Sequence, residues 1–196
     1  MALPHRRVLI TAKHVVDRAR GSGVRCLLTG NGSPIDITGW EIIASDLDLD
    51  LATIAIPDEF DPAVIQKRCF RPRAWPPTRA VRGDRAFFFG FAGIHRAVVP
   101  GGIRQHGSVF CDFVSSASER HFLLADEEFV RSMSEFVPGL EPFGPTGGMS
   151  GAPIFVNRDS ELEFAGVLYE GGEGPTSTFF VAHAAHLAAD GTIQPP

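Results

Sequence analysis

One serine stands among three glycines in Gly147-Gly148-Met149-Ser150-Gly151-Ala152-Pro153, and the apolar run Ile154-Phe155-Val156 follows at once. Glycine lets a backbone turn its N–H groups inward and lets a substrate come close, so such a loop suits a nucleophile. Serine alone is a poor nucleophile. It needs a base in hydrogen-bond reach, and the base needs an acid to fix its tautomer and stabilise the imidazolium. The candidate base is His14, at the end of Leu9-Ile10-Thr11-Ala12-Lys13-His14. The candidate acid is Asp50, at the head of Leu51-Ala52-Thr53-Ile54-Ala55-Ile56. Asp46 and Asp48 share a face with Asp50 if the strand is regular, since side chains repeat every two residues. Only Asp50 is followed by Leu-Ala and an apolar run. Taken singly, the three stretches are ordinary: a histidine capping a strand, a solvated strand start and a flexible turn. Together, in the order His14, Asp50, Ser150, they supply one candidate for each role in acyl transfer.

The elements that must position them are strands. Apolar, β-branched runs predict strands over 8–12, 24–29, 35–45 and 51–56 in a first half. A short helical turn is expected over 14–19. A second half carries expected strands at 85–91, 108–115, 120–125, 152–156, 163–169 and 177–182, with an Ala-rich short helix at 183–189. Between the halves, Pro57, Pro62, Pro72, Pro76 and Pro77 sit among charges and no period holds. The organisation expected is a first β unit over 1–60, a connection over 61–84 and a second β unit over 85–196. Pattern alone does not separate barrel from sandwich.

Composition limits the function classes. The chain has 196 residues, enough to bury a core without staples. Its 21 Gly and 15 Pro are scattered rather than periodic, which fits many short strands and tight turns. A net charge of −5 gives no general attraction to phosphate, so no nucleic-acid partner is expected. Arg68, Arg71, Arg73, Arg79, Arg82 and Arg85 cluster, but among prolines, and read as a solvated loop. Cys26, Cys69 and Cys111 are odd in number with no CxxC, against a disulfide framework or zinc knuckle. His95, His106 and His121 lack ligand spacing, and His183 and His186 read as surface or cap residues. The N-terminus lacks the apolar stretch of a signal peptide, and no run approaches a membrane span. A cytoplasmic location and no membrane partner are the expectation. Oligomeric state is left open.

These stretches resemble the chymotrypsin-like (trypsin-like) serine peptidases, nearer the bacterial HtrA-type members. Thr11-Ala12-Lys13-His14 is similar to the family's Thr-Ala-Ala-His, and Asp50-Leu51-Ala52 to its Asp-Ile/Leu-Ala. Gly148-Met149-Ser150-Gly151-Ala152-Pro153 is similar to its Gly-Asp/Asn-Ser-Gly-Gly-Pro. Gly83 to Gly90 and Gly166-Val167-Leu168-Tyr169 add weaker matches, and the resemblance spans residues 7 to 189. It implies an all-β fold of two antiparallel barrels with a cleft between them, and a polypeptide substrate. His14 would be base then acid, Asp50 its orienter and Ser150 the nucleophile. The N–H groups of Gly148 and Ser150 would form an oxyanion hole, with no metal or organic cofactor.

The resemblance also places the substrate-binding positions. The floor of the primary pocket falls near Gly144, with Pro145, Thr146 and Gly147 beside it. Tyr169, Glu170 and Gly171 would line the cleft. No acid lies on that floor, so a preference for Arg or Lys before the scissile bond is not expected; a small or apolar residue is. Met149 stands where zymogen-activated members carry an acid. Only 13 residues precede His14, so an incomplete first barrel with an exposed edge is expected. An α/β-hydrolase reading fails on order and context, because that fold places Ser before acid and His and needs a helix after the serine. The other reading of the same fold is a non-catalytic module whose cleft holds a peptide.

Overall fold

The computed structural model describes residues 1–21, 23, 26–28, 33–91, 96–100, 102–105, 107–124, 148–171 and 178–196. The described chain is all-β, with one α-helix and two short 3-10 turns. In the first half, β1 (Val8–Ala12), β5 (Leu51–Ala55) and β4 (Ile42–Asp46) form an antiparallel sheet in the order β1-β5-β4. A hairpin of β2 (Cys26–Leu28) and β3 (Pro34–Asp36) stands beside it. Among the described residues this half is an open sheet. All five residues of β5 are buried, which explains its continuous apolar run.

The second half closes on itself. The strands β6 (Arg85–Gly90), β9 (Ser108–Ala117), β10 (His121–Leu124), β11 (Pro153–Arg158), β12 (Glu161–Gly171) and β13 (Phe179–His183) form a barrel in the order β10-β13-β12-β11-β6-β9. Its interior is packed with Phe88, Phe122, Leu124, Ile154, Val156, Leu168 and Val181. A separate hairpin joins β7 (Arg96–Val99) to β8 (Gly102–Gln105). A second cluster includes Leu49, Leu51, Phe164, Val167 and Leu187, so the two halves share a core. Among the described residues no helix is long and apolar enough to cross a membrane.

Several expectations need correction. The strand expected over 35–45 is broken, because the Asp36 carboxylate accepts from Thr38 N at 2.7 Å and Trp40 N donates to Ile37 O at 3.0 Å. That local turn ends β3 before β4 begins. The turn at 14–19 is a full helix, α1 (Lys13–Gly21). The expected C-terminal helix is only a 3-10 turn, Ala184–His186. His183 and His186 are not surface residues; they are buried to 0% and 1% exposure. Residues 61–84 hold one 3-10 turn, Pro62–Ile65, and no strand, and their arginines Arg68, Arg71, Arg73, Arg79 and Arg82 are exposed, as is Arg85 at the head of β6. Yet Ile65 and Ala80 are buried, and Phe70 packs edge-on against Phe155. Arg158 clamps this segment, donating to Asp84 at 2.6 Å, to Glu163 at 3.1 Å and to the Arg79 carbonyl at 2.8 Å.

Candidate active site

β1 runs directly into α1, so His14 lies in the first turn of a helix. Helix first turns carry N–H groups with no intrahelical acceptor. Asp50 supplies the acceptor from another element. Its Oδ1 accepts from His14 N at 2.9 Å, and its Oδ2 lies 2.6 Å from His14 Nδ1. Its carbonyl accepts from Lys13 N at 3.0 Å. One residue therefore caps the helix and holds the ring. A carboxylate only accepts, so Nδ1 is the donor in this pair and Nε2 is left free of it.

The turn Leu47–Asp50 between β4 and β5 aims this carboxylate. Leu49 N donates to the Asp46 carboxylate at 2.8 Å, and Leu49 is fully buried. Asp48 points to Arg120 at 3.6 Å. Asp50 has φ 46°, a left-handed conformation that Asp tolerates better than most residues. The three acids thus do not share a strand face, and only Asp50 reaches His14.

Ser150 sits at the other side of the cleft, in a tight turn before β11. Ala152 N donates to Met149 O at 2.9 Å, with Ser150 and Gly151 at the corners. Gly151 has φ 93°, as the third position of a type II turn requires. A Cβ there would lie 2.5 Å from Thr11 Oγ1, so this glycine lets the loop seat directly on β1. Gly151 N also donates to Leu168 O at 2.7 Å, and Leu168 N to Ala152 O at 2.9 Å, which ties the loop to β12. Met149 is buried and fills the space over Gly90. It serves as a core anchor beneath the turn.

His14, Asp50 and Ser150 line one open cleft of about 350 Å³, together with Arg18, Gly148, Met149, Leu168, Tyr169, Glu170 and Gly171. The Ser150 hydroxyl donates to the Tyr169 carbonyl at 3.2 Å, and among the described residues no hydrogen bond joins it to His14. The N–H of Ser150 has no acceptor among the described residues either. Burial, with help from Glu170 and Asp50, pushes the Tyr169 phenol up to about 12, so it stays neutral. Gly144, Thr146 and Gly147 lie outside the described residues. No group of three or more His, Cys, Asp or Glu side chains among the described residues is placed to hold a metal ion.

The sequence reading missed Arg18, which lines the cleft one helical turn beyond His14. The available signal was its i+4 spacing, which becomes visible only once 13–21 is read as a helix.

No protein-family model matches the chain, and no curated protein matches it. Among solved structures, the chain is similar to a mutant form of tobacco etch virus protease at 13% identity and a TM-score of 0.48. The match covers 90% of this chain and 63% of that one, and neither activity nor fold follows from a likeness of that size.

Proposed function

We propose that this chain is a serine endopeptidase of the chymotrypsin-like kind. The observation that carries the reading is the double hold of Asp50 on His14, at its backbone N–H and its ring, in the same cleft as Ser150. In this reading Nε2 of His14 takes the Ser150 proton as Oγ attacks the substrate carbonyl. The N–H groups of Gly148 and Ser150 receive the oxyanion, and each such donor is worth on the order of 10²–10³ in turnover. His14 then protonates the leaving amine, the C–N bond breaks, and an acyl-enzyme remains. Water, activated by His14, hydrolyses that ester. Ser150 must first leave the Tyr169 carbonyl, which costs about 1 kcal/mol, the net worth of an ordinary hydrogen bond.

The test is digestion of an unfolded polypeptide mixture, with new termini identified by mass spectrometry. Products should form with the native chain and vanish for Ser150→Ala and His14→Ala. Cleavage surviving in Ser150→Ala would overturn the reading. One observation favours a second reading, a peptide-holding module without cleavage: the Ser150 hydroxyl is committed to the Tyr169 carbonyl rather than to His14. In that case native and Ser150→Ala chains would bind peptides equally and neither would cut.

A further inference from the structure

The cleft carries two charges that the acyl-transfer chemistry does not use. Asp50 is occupied by His14. On α1, Lys13 pairs with Asp17 at 2.5 Å, which removes the nearby acid. Arg18 and Glu170 both line the cleft, both are exposed, and neither forms an ion pair with any described residue or with the other. They therefore stand apart as one positive and one negative point.

Their places relative to the reacting atoms follow from the elements that carry them. His14 must hand its proton to the leaving amine, so the segment after the scissile bond passes on the α1 side of Ser150. Arg18 is four residues on from His14, which puts it on the same helix face about 6 Å further along. On the opposite side, Ser150 is bonded to the Tyr169 carbonyl, and Glu170 is the next residue of β12. There β12 has left its partner strand. Its pairing with β11 ends at Pro153↔Val167, and past Leu168 its pairing among the described residues is with β13 alone, at Glu170↔Phe180 and Gly171↔Phe179. Residues 169–171 thus offer an edge with no partner strand among the described residues to an extended segment before the scissile bond.

We propose that the cleft selects peptides of divided charge, with a basic residue before the scissile bond facing Glu170 and an acidic residue after it facing Arg18. This rests on the peptidase reading for its polarity. The basic residue is one on the β12 edge, not the residue at the bond itself, whose pocket is a separate matter. Exposed charge pairs are weak, so each matched charge should raise kcat/KM by about two- to fivefold at low salt, and the preference should shrink as salt rises.

The experiment uses two peptide libraries, randomised at the residues flanking the bond, one fixed as Lys-before/Glu-after and the other as Glu-before/Lys-after. The native chain should cut the first faster. Arg18→Glu should reverse the choice after the bond and leave the choice before it, and Glu170→Lys should do the converse. Both side chains are exposed, and melting curves check that the variants fold. The same libraries, fluorescently labelled, are titrated into Ser150→Ala and read by anisotropy. Equal handling of the two libraries, or a preference that Arg18→Glu leaves untouched, overturns the proposal. If nothing is cut and Ser150 takes no active-site label, the peptidase reading fails on its own. The anisotropy order then decides the charge proposal separately: Lys-before/Glu-after binding tighter upholds it, and no difference ends it.

Discussion

Asp50 has two structural duties, and substitutions can separate them. Asn keeps an oxygen for the His14 N–H and tolerates a φ of 46°, but its amide cannot accept both bonds or neutralise an imidazolium. Asp50→Asn should leave the melting temperature nearly unchanged and lower turnover by on the order of 10⁴, as for an orienting acid. Asp50→Ala should lose activity as well, and also about 1 kcal/mol of stability as the helix cap goes. Thermal melts beside a peptide assay check both. At this scale the sequence was informative, since Asp50 stood out by the apolar run behind it. Its distinction from Asp46 and Asp48 in space was not readable. That depends on a turn fixed by the local Asp46–Leu49 bond together with the burial of Leu49, and the burial is a tertiary fact.

Among the elements, the strands were legible because apolar runs in the sequence become buried barrel walls. The helix α1 was legible only as a short turn, not at its full length. Only Val16 is buried in it, so there is no apolar stripe to read; its length depends on the cap from Asp50 and the Lys13–Asp17 pair. The β7–β8 hairpin was also missed, although Pro100-Gly101-Gly102 is a turn signal after the apolar run Ala97-Val98-Val99. One contact between the halves is Gly151 on Thr11. Gly151→Ala should cost about 1–3 kcal/mol through its φ and its clash, and cut activity by on the order of 10²-fold by displacing Ser150. Gly83→Ala is the matched control. Gly83 has φ 92° with open space around it, so it should cost about 1 kcal/mol and leave activity intact. Equal loss of activity in both would show that the Gly151 seat is not what positions the serine.

The whole molecule is joined by buried polar groups, among them a histidine expected at the surface. Thr53 Oγ1, fully buried in β5, donates to the Gly191 carbonyl at 2.7 Å, so the C-terminal segment closes over the first sheet. His183 bonds the Ser118 carbonyl at 3.1 Å through Nε2, and its buried Nδ1 has no partner among the described residues. Burial lowers His183 from 6.5 to about 4, and the charges of His186, Arg79 and His121 act in the same direction. The His121 pKa is lowered as well, chiefly by burial, with its ring against Tyr169. The folded chain therefore binds fewer protons than the unfolded one in this range, and stability rises with pH. It should be full above about pH 6.5 and fall steadily toward pH 4. His183→Gln should flatten that slope, and melting temperatures across pH 4–8 read it directly. An unchanged slope would remove His183 from this role. Histidines in an Ala-rich tail gave no periodicity, so their burial could not be read before the barrel was known.

The central claim is that His14 and Asp50 activate Ser150. Its most direct measurement is reaction of the folded chain with a fluorophosphonate probe, with the modified residue located by mass spectrometry, beside Ser150→Ala and His14→Ala. A single adduct should form on Ser150 and be absent from both variants. A folded chain that takes no label, or one whose labelling is unchanged in His14→Ala, would contradict it.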